Sequence, residues 1–184
     1  MKKKIFIGLG VLFIALVAFF LYEALVVTKR SPKKTTTYND QGLEIKVVYC
    51  QPYKKGRLIF GEAKDGALQP YGKYWRLGAN AATEITFSKN INFAGQPVSA
   101  GTYRMYAVPG ATSFQIFINT ELGVNLSAAR EPDHAQDLVK VDVPVETPPS
   151  ETEQFTINFG NDSTGVKMDL VWDKTLVRVP ITLQ

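Results

Sequence analysis

Trp75 and Arg76 stand side by side, with Tyr71 and Asn80 close on either side and Arg57 further upstream. A flat indole ring beside a planar guanidinium suits two kinds of ligand. Sugars stack on aromatic faces, and carboxylates accept paired bonds from arginine. Arg57, Tyr71, Trp75, Arg76 and Asn80 are therefore the candidate ligand-binding set. The same residues also have a purely structural reading. In it Trp75 fills the core, Arg76 satisfies buried loop carbonyls, and Gly78 supplies a special turn.

Residues for other chemistry are sparse. His134 is the only histidine, and it lies in the polar stretch 130–137, which reads as a surface loop. Asp133 and Asp137 could join it on a metal, but a solitary histidine reads more simply as an exposed side chain. A Ser-His-Asp device would need His134, which has no Ser or Cys motif near it in sequence. Cys50 is the only cysteine, so there is neither an intrachain disulfide nor a thiolate cluster for a metal. Gly56 and Gly61 have the spacing of a phosphate loop without the Lys and Ser or Thr that must follow. Glu62, Glu84 and the later acids offer carboxylates for glycoside hydrolysis, but nothing selects a pair. The sequence thus predicts no catalytic residue, no metal site and no cofactor, and a hydrolase is the weakest reading.

The charge excludes another class. Seven of the 21 Lys and Arg fall in the first 34 residues. From residue 35 onward 14 basic residues face 16 acidic ones, a net charge of −2. The basic character belongs to the flanks of an apolar segment, so nucleic acid is not an expected partner. Within the remainder, residues 46–76 carry seven cations against Glu62 and Asp65, and residues 121–162 carry nine acids against Arg130 and Lys140. The two halves either neutralise each other or leave a basic surface for a partner.

The elements that must position these residues are mostly strands. Apolar residues alternate at Leu43, Ile45, Val47 and Tyr49, and again at Ile85 and Phe87, Tyr103 to Ala107, and Phe114 to Ile118. Further runs follow at Val139 to Val145, Phe155 to Phe159, Val166 to Trp172 and Val177 to Leu183. This pattern predicts an all-β fold, an antiparallel β-sandwich of about eight or more strands. Pro180 places the last strand at an edge or a bulge. A short helical piece is expected between Leu126 and Asp137, broken by Pro132. Residues 51–82, rich in Gly and Pro, form a long ordered loop region of the kind that often carries function.

Ahead of this domain lies an uncharged run over residues 5–22, which opens at Ile5 and continues, past Glu23, to Val27. As a helix it would span about 27 to 34 Å, enough for a hydrocarbon core of about 30 Å. It exceeds a usual signal-peptide core, and Tyr22-Glu23-Ala24 offers no small-x-small cleavage site. The expected organisation is a transmembrane anchor with basic flanks over 1–30, a linker over 31–42 and the β-sandwich over 43–184. Positive charge flanks both ends of the helix, so its direction rests on the export-type N-terminus and the β-rich domain. These favour the bacterial inner membrane with the domain on the periplasmic side.

Several separated motifs resemble a known family. Gly56-Arg57-Leu58-Ile59-Phe60-Gly61, then Pro70-Tyr71-Gly72-Lys73-Tyr74-Trp75-Arg76-Leu77-Gly78-Ala79-Asn80, are similar to signatures of the bacterial domain of unknown function 2911 family. Ala100-Gly101-Thr102-Tyr103 and Trp172-Asp173-Lys174-Thr175 extend the likeness over roughly residues 33–183. The resemblance implies an exported bacterial protein and carries no established activity. Two stretches depart from the family pattern. Gln51 stands where the family has Arg in Tyr-x-Arg-Pro, and residues 124–129 lack the aromatics usual after Leu-Gly. The expected role is a membrane-anchored, non-catalytic binding or scaffold module of the cell envelope, with the lipid bilayer and an envelope protein complex as partners. The alternative is a carbohydrate or small-carboxylate binding protein using the Trp75-Arg76 loop.

Overall fold

In the computed structural model the described residues are 2–22, 31–40, 42–123, 130–163 and 165–184. The chain opens with helix α1, Lys2–Tyr22. Every described side chain on it, from Ile7 to Tyr22, is exposed. Among the described residues, no helix is long and apolar enough to cross a membrane. The continuation of the apolar run through Val27 lies outside the described residues.

The rest is mostly β. Strands β1 (Lys33–Asp40), β2 (Leu43–Cys50), β5 (Thr83–Phe87), β8 (Gly101–Val108), β9 (Ser113–Asn119) and β10 (Asp137–Glu146) are antiparallel neighbours in that order. The path continues through β13 (Thr175–Leu183) and β12 (Gly165–Asp173) to β11 (Thr152–Asp162). A small hairpin of β6 (Ile91–Phe93) and β7 (Gln96–Val98) pairs with β13. Two short parallel strands, β3 (Phe60–Gly61) and β4 (Gln69–Pro70), lie in the long loop.

Strand β10 joins the two halves. Most of its length pairs with β9, while Val145 and Glu146 pair with Val177 and Leu176 of β13. The two ends of the path come close together. The Tyr38 ring on β1 meets Phe159 on β11 at 5.9 Å, and Asn161 Nδ2 donates to Asp40 Oδ2 at 3.2 Å. The expected antiparallel layers are thus linked into one large sheet nearly closed into a barrel.

The alternating residues of the sequence are the core. Leu43, Ile45, Val47, Ile85, Phe87, Met105, Ile116, Val141, Ile157, Met168, Val179 and their neighbours are buried in one cluster. Period-two alternation turns each set inward as the strands pleat.

Three expectations need correction. The stretch 31–42 is not a linker: Lys33–Asp40 pairs with all of β2, from Lys33 opposite Cys50 to Asp40 opposite Leu43. Its polar run of Lys, Thr, Asn and Asp hides the strand, because an outer strand with few buried positions needs little apolar alternation. The last strand is not an edge either, since β13 lies between β10 and β12 with β6 beside it. Pro180 is tolerated because its carbonyl accepts from Ala94 N. In an antiparallel strand a residue's N–H and C=O point to the same neighbour, so its absent donor faces the turn where the β6 ladder ends. Finally, the described part of the expected helical piece is only the 3-10 turn His134–Gln136, with residues 124–129 outside the described set.

Candidate functional site

The 51–82 region is ordered by its own bonds. Gln51 N donates to Pro32 O, and Lys54 N to Glu153 O on β11. Lys54 Nζ bridges Glu151 at 2.5 Å and Asp173 at 2.7 Å, pinning the loop to the β12–β13 turn. The hydrogen bonds to Asp173 and Glu151 hold the Lys54 ammonium above its ordinary value, and the same bond lowers Glu151. Further on, Trp75 exchanges both backbone hydrogen bonds with Ala107 of β8.

Between Trp75 and Asn80 the backbone is strained. Leu77 (φ 53°) and Asn80 (φ 59°) are left-handed, and Gly78 has φ 149°. A Cβ on Gly78 would meet the Cys50 carbonyl oxygen at 2.6 Å, so only glycine fits. Side chains satisfy the turned carbonyls. Thr83 Oγ1 donates to Leu77 O at 2.6 Å, Trp75 Nε1 to Gly78 O at 3.3 Å, and Arg76 Nη1 to Asn80 O at 3.1 Å. Left-handed non-glycine residues persist only where their surroundings over-determine them, and they cluster at ligand clamps.

This turn forms one wall of a cleft of about 690 Å³. Arg57, Trp75, Arg76 and Asn80, four of the five sequence candidates, line it; Tyr71 does not. Trp75 is only 3% exposed and packs edge-on against Phe60 and Phe155 while stacking on Trp172. Its ring is a floor for the cleft and part of the core, so it cannot serve as a sugar-stacking face. Arg76 bonds a loop carbonyl, as its structural reading expects, and it also lines the cleft.

The cleft is cationic. Lys55, Arg57 and Arg76 line it, and among the described lining residues none is acidic. Arg57 spends donors on the Tyr53 and Lys54 carbonyls at 2.5 and 2.9 Å. Neither arginine makes a salt bridge among the described residues, and each guanidinium has five donors, so bonding capacity remains. Gln51 is not among the lining residues; its amide donates to Tyr49 Oη at 3.2 Å and Phe155 O at 3.1 Å inside the core.

A second polar cluster, on the outer face of β8 and β9, was not anticipated from the sequence. Arg104 is fully buried. Its guanidinium donates to Glu121 Oε2 at 2.6 Å, Tyr74 Oη at 2.7 Å and Arg130 O at 3.3 Å, while Nε has no partner among the described residues. Burial alone would raise Glu121, but bonds from Arg130 and the Asp133 N–H, with the charges of Arg130 and Arg104, hold it below the usual carboxylate range. Beside it, Tyr106 donates to Asp137 at 2.7 Å, Asn119 Nδ2 donates to the same carboxylate at 2.8 Å, and His134 Nδ1 lies 3.1 Å away. Burial and then the Asp137 carboxylate push the Tyr106 phenol well up, so it stays protonated. His134 is 58% exposed, and among the described residues no Ser, Thr or Cys side chain bonds to it. These contacts fasten Glu121 and residues 130–137 over the sheet. The sequence marked Arg104 and Tyr106 only as outward positions on a strand, which ordinarily means solvent.

The model of a family described as "Protein of unknown function (DUF2911)" matches residues 31–181. The chain belongs to this family. No curated protein and no solved structure matches it. Membership in the family brings no activity, so any role must be argued from the cleft itself. The family match begins at Ser31, ahead of β1, in keeping with a folded unit that includes that strand.

Proposed function

We propose that this chain is a membrane-tethered, non-catalytic binding module of the bacterial cell envelope whose ligand is a small anion. Its charged oxygens, such as those of a carboxylate or an acidic sugar, are held in the cleft by Arg57, Arg76 and Asn80. The observation that carries this reading is a cleft of about 690 Å³ lined by Lys55, Arg57 and Arg76, with no acid among its described lining residues. Charge-assisted bonds from arginine to carboxylate are the strong hydrogen bonds of proteins. Because Trp75 is packed into the core, discrimination would come from charge and hydrogen bonding rather than from ring stacking.

The tether is supported by the composition of α1 and its continuation. A helix that is apolar all round, with its described side chains exposed, has no partner surface within the fold to cover it. The apolar run of the sequence, from Ile5 past Glu23 to Val27, has the length that a helical span needs.

Isothermal titration of the full chain in nanodiscs tests the binding reading. Glutarate and glucuronate are expected to bind, glucose is not, and Arg57→Gln with Arg76→Gln should abolish the heat. Binding of glucose as strong as that of glucuronate, or heats unchanged in the double variant, would remove the proposal.

A further inference from the structure

Where the cleft lies along the chain bears on its ligand. Ser31, the first described residue after α1, is itself one of the residues lining it. Only residues 23–30 separate Tyr22 from Ser31, so the two are no more than about 32 Å apart. If the apolar run is spent in the bilayer as far as Val27, Ser31 stands within about 14 Å of the hydrocarbon edge. Headgroups occupy about 5–8 Å of that distance.

The rim of the cleft has the composition of a surface that meets a bilayer. Leu58 and Leu68 are both exposed, at 45% and 37%, and are neighbours through the Leu68 N to Leu58 O bond at 2.9 Å. Arg57 adjoins Leu58 in sequence, Lys55 lies three residues before it, and Leu68 lines the cleft. Lys64 and Lys73, on the same loop region, are exposed and make no salt bridge among the described residues. Glu62 and Asp65 are the only acids from 53 to 80, so the region remains strongly positive. Basic side chains beside exposed leucines are the means by which proteins hold anionic lipid surfaces.

We infer that the cleft binds the anionic headgroup of a lipid in the same bilayer that holds the tether, with Leu58 and Leu68 set against the interface. This rests on the tethered, anion-binding reading above and names its ligand class. A phosphate ester carries the same anionic oxygens as a carboxylate and suits the same arginines. The chain length and the leucines select the lipid source over a free anion.

Hydrogen exchange of the full chain in nanodiscs tests this. Discs of phosphatidylcholine alone are compared with discs that also contain phosphatidylglycerol, and glycerol phosphate and glutarate are added to the former. Amides of 53–58 and 68–80 should exchange several-fold more slowly with phosphatidylglycerol present. The slowing should weaken at high salt and vanish in the Arg57→Gln, Arg76→Gln variant, whose circular dichroism reports that it is folded. Slowing by the soluble anions with none from phosphatidylglycerol would overturn the lipid assignment and leave the anion cleft standing. Slowing by neither would overturn both.

Discussion

Trp75 and Trp172 stack with ring centres 5.9 Å apart and planes 23° from parallel, and both line the floor of the cationic cleft. One ring comes from the long loop and the other from β12. The pair therefore fixes the loop that carries Arg76 and Asn80 onto the body of the sheet.

Removing that floor should cost stability. Trp75→Ala deletes a buried aromatic side chain and is expected to destabilise the fold by about 3–5 kcal/mol. Arg76→Gln, which loses one bond to a loop carbonyl, should cost no more than about 1 kcal/mol. Urea unfolding followed by near-ultraviolet circular dichroism separates the two. A smaller loss for Trp75→Ala than for Arg76→Gln would contradict the assignment of Trp75 to the core.

Gly78→Ala should be damaging even though it adds one methyl group. The Cβ would press on the Cys50 carbonyl at 2.6 Å in a backbone conformation that suits glycine. We expect a loss of well over about 1 kcal/mol, more than an ordinary glycine-to-alanine change, read as a lower urea midpoint.

The buried Arg104–Glu121 pair should respond asymmetrically. Glu121→Ala leaves the fully buried guanidinium without its carboxylate and is expected to cost about 3–5 kcal/mol. Arg104→Met removes the buried charge itself, and Glu121 keeps Arg130 and the Asp133 N–H, so the loss should be smaller. Denaturation of both variants under one condition gives the order. The reverse order would mean that the pair is more solvated than its geometry indicates.

Stability should form a dome in pH. Glu121 lies below its ordinary 4.5, so its contribution is complete above that value and fades as the pH falls through the folded value. Tyr106 lies above its ordinary 10.0, so the unfolded chain loses that proton first. Its contribution is complete below about 10 and is lost as the pH rises further. Urea midpoints across pH should show Glu121→Gln flattening the acid limb and Tyr106→Phe the alkaline one. An alkaline limb unchanged in Tyr106→Phe would show that its phenol is not held by Asp137.

The strands were readable because each buries one face, and the alternation of Leu43 to Tyr49 or Val166 to Trp172 records that burial directly. Strand β1 was not, because Lys33–Asp40 sits at the end of the path and buries little. Four of five candidate ligand residues converged because they share one loop. Tyr71 did not, since proximity in sequence says nothing about which way a loop side chain turns. The Arg104 cluster stayed hidden for a related reason. Outward positions on a strand look solvated until distant residues, here Tyr74, Glu121 and 130–137, fold over them.

The central claim is that Arg57 and Arg76 receive an anion in the cleft. Side-chain Nε–Hε resonances of the two arginines, followed by nuclear magnetic resonance during titration with glucuronate, test it most directly. Both signals should shift saturably together, with one dissociation constant, while glucose leaves them in place. Arg76→Gln should weaken that constant by at least about tenfold, as expected for losing a charge-assisted bond. Signals that stay still through the titration, or that move equally with glucose, would contradict the account.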